Sequence, residues 1–367
     1  MNPKVENNKE ENNVLTFTLS NINVSLANAL RRTVMSNIPT VVFKTAPYEE
    51  NKATITVNTS RLNNEILKQR LSCIPIHITD LKMPLENYRL EVDVENITDT
   101  IMYVTTKDFK IKNITTNEYL SENDQDAIFP PNDSTGYYID FARLRPRISD
   151  EIPGEKLQFT CEFSIGTGKE DGMFNAVSVC AYGYTPDQDM IEDVLGKKKQ
   201  EWKNEGWNEE KINFESKNWR LLDAERIVKL NSFDFTVQTV GVFSNKELII
   251  KACSILMDKL QELDTSIDTD ELDIHVAENT MKNCYDIILV NEDYTIGKVL
   301  EYLLHAKFFD GIKTMTYCGF KKMHPHDDNS IVRIAYKEDT DKVVIKQNLK
   351  MCIADAITIY KNIQRSF

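Results

Sequence analysis

Residues 19–30 read L-S-N-I-N-V-S-L-A-N-A-L, and residues 289–300 read L-V-N-E-D-Y-T-I-G-K-V-L. Aligned with a shift of 270 positions, Asn21 matches Asn291 and Ser25 matches Thr295. Ala27 falls on Gly297, and Leu26, Ala29 and Leu30 fall on Ile296, Val299 and Leu300. Matched polar, small and apolar positions at one constant shift indicate two versions of one module in a single chain.

Each version predicts a strand that runs into a short amphipathic helix. In the first, residues 14–19 form the strand and Ser25 is the expected N-cap, its hydroxyl able to accept a free backbone N–H. Leu26, Leu30 and Val34 then recur at i, i+4 and i+8, Arg31 and Arg32 fall to the flank, and Pro39 stops the helix. In the second, residues 286–290 form the strand, Thr295 is the expected cap, and Ile296, Val299, Leu300, Leu303 and Leu304 share a face. Glu301 and Tyr302 stand where the first version has its arginines. A long helical stripe follows each. Ser244 and Glu247 make a capping box ahead of Leu248, Ala252, Ile255, Leu256, Leu260 and Leu263; Leu349, Cys352, Ile353, Ala356, Tyr360 and Ile363 form the other stripe.

The fold expected is α+β. Residues 14–44 and 176–263 make the first module, which is interrupted at 45–175 by a β-rich insertion with alternation at 53–57, 88–94 and 156–163. Within the insertion, the turn-rich segment 116–136 reads as a surface excursion. Residues 1–13 are expected to be a disordered lead-in, 264–271 an acidic linker, and 272–367 the second module.

A net charge of −13 argues against a broad phosphate-binding face, so any service to nucleic acid is expected to be indirect. The run Lys197, Lys198 and Lys199 is followed by Glu201, Glu205, Glu209 and Glu210, a solvated mixed-charge pattern. Seven cysteines, odd in number and never spaced C-x-x-C, predict neither a disulfide framework nor a zinc site and fit a reducing, intracellular setting. No run of 18 apolar residues is present for a membrane span, and the polar, acidic N-terminus is unlike a signal peptide.

Three groups invite a chemical reading. Gly166, Gly168 and Lys169 suggest a phosphate loop, but a P-loop needs Gly where Phe163 stands and a hydroxyl where Glu170 stands. His324 and His326, beside Asp327 and Asp328, lack a cysteine-rich or H-E-x-x-H context for a metal. Asp187, Asp189, Glu192 and Asp193 lack the compact spacing of a polymerase Mg²⁺ site and read as a surface loop. No catalytic residue, cofactor or metal is expected.

N-A-L-R-R-T-V-M-S-N-I-P-T at 28–40 resembles the signature of the assembly subunits of multisubunit RNA polymerases: the bacterial alpha subunit, the archaeal D subunit and the third-largest subunit of eukaryotic RNA polymerase II. The resemblance continues, in the family's order, at N-T-S-R-L-N-N-E-I-L-K-Q-R-L-S-C-I-P-I (58–76), F-S-I-G-T-G-K-E-D-G (163–172) and F-D-F-T-V-Q-T-V-G (233–241). N-E-D-Y-T-I-G-K-V-L (291–300) and Y-C-G-F-K-K-M-H-P-H (317–326) resemble the smaller partner, the archaeal L subunit and the eleventh eukaryotic subunit.

The chain thus looks like both subunits fused, an arrangement known among large DNA viruses. The resemblance implies a viral source, located in host cytoplasm or viral factory and in the virion. It also implies two alpha-type dimerisation modules, each a sheet plus two helices, packed as an intramolecular pseudo-dimer without homo-oligomerisation. Leu26, Leu30, Val34, Leu256, Leu260, Ile296, Leu300, Leu303, Ile353 and Tyr360 are the expected pairing residues. Asn28, Arg31, Arg32 and Lys169 are the expected contacts to the large subunits. The implied role is a non-catalytic platform for transcription, binding the two largest polymerase subunits and a small protein like the tenth or twelfth subunit. A stand-alone nucleotide enzyme using the Gly166–Lys169 loop, or a free interaction scaffold, are the alternatives.

Overall fold

The computed structural model describes residues 1–149, 151–278 and 280–367. The fold is mixed α/β and divides into two compact units, one of residues 1–33, 179–238 and 249–367, the other of 34–178 and 239–248.

The first unit holds two four-stranded sheets. One is ordered Lys4–Glu11, Val14–Ser20, Val228–Thr239, Val177–Pro186; the other is ordered Ile274–Val276, Cys284–Leu289, Ser330–Tyr336, Met315–Lys321. Insertions aside, both copies run strand, strand, short helix, strand, strand, long helix, and both place their strands 1-2-4-3 across the sheet. The short helices are Val24–Ser36 and Tyr294–Leu304; the long ones are Asn245–Asp268 and Lys342–Gln364.

The duplication reaches the backbone. Asn21 has φ 58° and Asn291 has φ 57°, the same left-handed step between strand and helix. Asn is among the few residues other than Gly that accept it readily. Two residues later Asn23 Oδ1 accepts the Ser25 N–H at 2.9 Å, and Asp293 Oδ1 accepts the Thr295 N–H at 2.8 Å. The helix caps are therefore Asn23 and Asp293 rather than the expected Ser25 and Thr295, which lie within the first turn. The left-handed asparagine turns the chain earlier than the hydroxyl pattern suggests.

The expected disordered lead-in is instead the edge strand Lys4–Glu11, paired antiparallel with Val14–Ser20. Asn12 and Asn13, at φ 51° and 61°, make the connecting turn, and two adjacent left-handed residues match the twist of a tight hairpin. An exposed edge strand needs no apolar alternation, and its Lys and Glu residues discourage further pairing. Most of the expected linker is also ordered. The first long helix continues to Asp268 with Ile267 buried, and Lys350 Nζ lies 2.6 Å from Asp268 and 3.8 Å from Asp264. Packing and ion pairing here override the modest helix propensity of Thr and Asp.

The acidic residues expected in a surface loop open a helix. Asp187 caps Gln188–Asn204 by accepting the Met190 N–H at 3.3 Å. With Glu209–Leu221 it forms a helical hairpin around Ile191, Leu195 and Trp219, filling the strand connection that segment 322–329 spans in the second copy.

The second unit contains the sheet Ala53–Asn58, Lys156–Glu162, Tyr88–Glu95, Lys110–Asn113, with the pair Met102–Thr105 and Asp140–Leu144. Its core is aromatic: the Phe109 ring meets Phe129, Phe141 and Phe159 edge-on at 5.4–6.0 Å. The turn-rich segment expected as an excursion includes the helix Glu122–Ile128 and is anchored by Phe129.

Gly297 shows how tightly the second copy is built, since a Cβ there would stand 2.0 Å from Phe320 Cε2. Gly297→Ala should lower stability by about 1–3 kcal/mol despite the better helix propensity of Ala. Thermal unfolding checks this, and Phe320→Leu in the same chain should restore most of the loss.

Candidate functional site: the seam joining the two repeats

Every residue expected to pair the repeats is buried: Leu26, Leu30, Val34, Leu256 and Leu260 from the first, Ile296, Leu300, Leu303, Ile353 and Tyr360 from the second. Several direct contacts connect the copies. The fully buried Tyr360 hydroxyl donates to the Leu26 carbonyl at 3.3 Å. Burial pushes this phenol well above its ordinary pKa, so it stays a donor. Gln364 Nε2 donates to the Ile250 carbonyl at 3.3 Å and to Ser254 Oγ at 2.7 Å. The Phe367 ring packs edge-on against Phe17, with centroids 4.9 Å apart.

Charges border this apolar seam. Arg32 Nη2 lies 2.8 Å from Asp293 Oδ2, and its Nε donates to Thr295 Oγ1 at 3.0 Å. The planar guanidinium thus reads two residues at the start of the second short helix. Beside it, Lys259 Nζ lies 2.6 Å from Glu292 Oε1. Burial raises the Asp293 pKa, but the Thr295 N–H and hydroxyl and the Arg32 charge outweigh it and hold the carboxyl below the usual carboxylate range.

The arginine pair is divided between tasks. Arg32 is engaged with the second repeat. Arg31 instead donates from Nε to Asn28 Oδ1 at 3.0 Å, and its charge opposes the burial that pushes the Cys180 thiol up to about 12. Lys169 belongs to the other unit, on an exposed turn whose Lys169 N–H donates to the Ser36 carbonyl at 2.8 Å. The neighbouring glycines have a packing explanation. A Cβ on Gly168 would lie 2.1 Å from Asn175 Oδ1 and 2.8 Å from the Met35 carbonyl oxygen, and one on Gly166 would lie 2.8 Å from Phe174 Cδ2.

His324 and His326 occupy an exposed turn in which Asp327 accepts the His324 N–H at 2.9 Å. Among the described residues, no group of three or more His, Cys, Asp and Glu is arranged to hold a metal ion. Burial also pushes the Cys161, Cys318 and Cys352 thiols up to about 12, which keeps them protonated.

Sequence reasoning missed Lys259, Glu292, Asp293 and Gln364. A signal was present for two of them: Glu292 and Asp293 replace Ile22 and Asn23 of the first repeat, a change from neutral to acidic within an otherwise matched stretch.

Comparison with known proteins assigns this architecture to the RNA polymerase subunits of the alpha type. The RNA polymerase Rpb3/Rpb11 dimerisation domain matches residues 16–260, more than half of the chain, and the chain belongs to that family. It is 24% identical over 306 residues to the cattle (Bos taurus) DNA-directed RNA polymerases I and III subunit RPAC1, covering 72% of this chain and 84% of the relative. It is also 24% identical over 276 residues to the Schizosaccharomyces pombe DNA-directed RNA polymerase II subunit RPB3, covering 71% and 85%. With an Arabidopsis thaliana subunit 3B of RNA polymerases IV and V it shares 24% over 329 residues, covering 75% and 95%.

The seam should be acid-sensitive in a defined direction. Because the folded Asp293 carboxyl titrates below its ordinary value, its contribution is complete above about pH 4 and is lost as pH falls through the lower folded value. Asp293→Asn keeps a capping oxygen but removes the charge, and should cost about 1 kcal/mol near neutrality. In thermal melts from pH 7 to pH 3, the gap between wild type and variant should close as the pH drops.

Proposed function

We propose that this chain is a fused assembly platform of a DNA-directed RNA polymerase, in which an Rpb3-like module and a smaller Rpb11-like module pair as an intramolecular pseudo-dimer. The observation that carries the proposal is the repeated 1-2-4-3 sheet with its two helices in residues 274–364, beyond the span 16–260 that matches the family. Buried stripes and the Tyr360–Leu26 hydrogen bond support pairing between the copies.

In this reading the platform binds the two largest polymerase subunits and a small protein like the tenth or twelfth subunit, while RNA synthesis is done by those partners. Arg31 with Asn28, and Lys169, present polar groups for those contacts; Arg32 acts chiefly between the modules. Fusion of the two modules in one chain favours a large DNA virus as the source, with the polymerase in the host cytoplasm or viral factory and in the virion.

The full chain, tagged and purified from its native setting under mild salt, should bring down two very large subunits and template-dependent RNA synthesis. Arg31→Glu with Lys169→Glu should weaken that recovery by roughly thirtyfold in affinity, about 2 kcal/mol, while leaving the melting temperature of the chain near wild type. Recovery of a lone, folded chain would reject the platform.

A further inference from the structure

The polar border of the seam is not symmetric. The first repeat contributes two cations, Arg32 and Lys259; the second contributes two consecutive carboxylates, Glu292 and Asp293. At the matching positions the first repeat has Ile22 and Asn23, and Tyr302 stands where Arg32 would recur. Ile22 is fully buried, and Asn23 is spent on capping its own helix.

We infer that these four side chains form a one-way electrostatic lock that makes the first repeat select the second and reject a copy of itself. The inference rests on reading the repeats as a paired platform. Two first repeats brought together would set Arg32 and Lys259 against neutral groups, leaving both cations partly desolvated without a carboxylate. Two second repeats would set Glu292 and Asp293 beside Tyr302, with no guanidinium to receive them. Only the mixed pair satisfies both ends, and the Lys259–Glu292 pair is partly sheltered: its side chains retain 25% and 20% exposure. A cation or carboxylate left partly desolvated without its counter-charge is an unfavourable element that discriminates partners more than it strengthens the right one.

The test uses Lys259→Glu and Glu292→Lys in the full chain, since neither residue caps a helix. Each single reversal should lower the melting temperature by about 2–4 °C, and both together in one chain should recover most of the loss. Co-expressed under different tags, the two single variants should capture one another, because each carries the complement of the other's mismatched repeat; two wild-type chains should not. Singles that melt like wild type, or a double variant no better than the sum of the singles, would overturn the lock. Recovery within one chain without capture between chains would also overturn it, because the pair would then stabilise the fold without choosing a partner. None of these readouts involves polymerase subunits, so the lock fails or stands separately from the platform reading.

Discussion

The structure depends on burial of the apolar stripes carried by the two short and two long helices. In the second copy the short helix packs on its own sheet, against Met315–Lys321 and Ser330–Tyr336. Burying a Leu, Ile or comparable side chain is worth about 1.5–3 kcal/mol, so the ten stripe residues represent roughly 20 kcal/mol of gross burial, an upper bound because unfolded chains already hide some apolar surface. The bordering ion pairs contribute about 1 kcal/mol each at most. Cohesion therefore comes from the stripes. Tyr360 adds direction at the centre, since a phenol buried without an acceptor would itself be costly, and the Leu26 carbonyl supplies one.

Several elements were legible because the signal was local and periodic. The stripes through Leu26, Leu30 and Val34 and through Ile353, Ala356 and Tyr360 read directly as helix faces, and all six side chains are buried. Alternation marked the insertion strands Ala53–Asn58 and Tyr88–Glu95. The failures were equally local. The strand Lys4–Glu11 has no apolar pattern, being an exposed edge, and only the Asn12–Asn13 turn betrayed it. The helix ends were misplaced by two residues because the left-handed Asn21 and Asn291 fix where the chain turns, and a hydroxyl pattern does not carry that information. The hairpin of Gln188–Asn204 and Glu209–Leu221 was obscured by charge, which is what a largely solvated helical pair requires.

The candidate site was legible in part. Burial of the residues expected to pair follows from periodicity, whereas the destination of a flanking arginine does not, because flank position leaves both solvent and partner open. Arg31 and Arg32 are adjacent in sequence, yet about 100° of helical rotation separates them, enough to send one to Asn28 and the other to a different repeat. Divergence between the repeats is the more informative signal. Shared positions build the common fold, and the exchange of Ile22 and Asn23 for Glu292 and Asp293 marks where one copy must differ from the other.

Joining the repeats in one chain changes what the polar border has to accomplish. A short connection holds the modules at an effective concentration in the millimolar range, so encounter needs no help from charge. Register does need it. Apolar attraction is non-directional, and sliding one helix by a turn, about 5.4 Å, brings the next stripe residues into similar contact. The same slide would carry Arg32 well beyond its 2.8 Å contact with Asp293 and Lys259 beyond its 2.6 Å contact with Glu292. Short-range ion pairs separate registers that burial alone leaves close in energy. Weak contacts at the border therefore matter in a seam whose strength lies elsewhere.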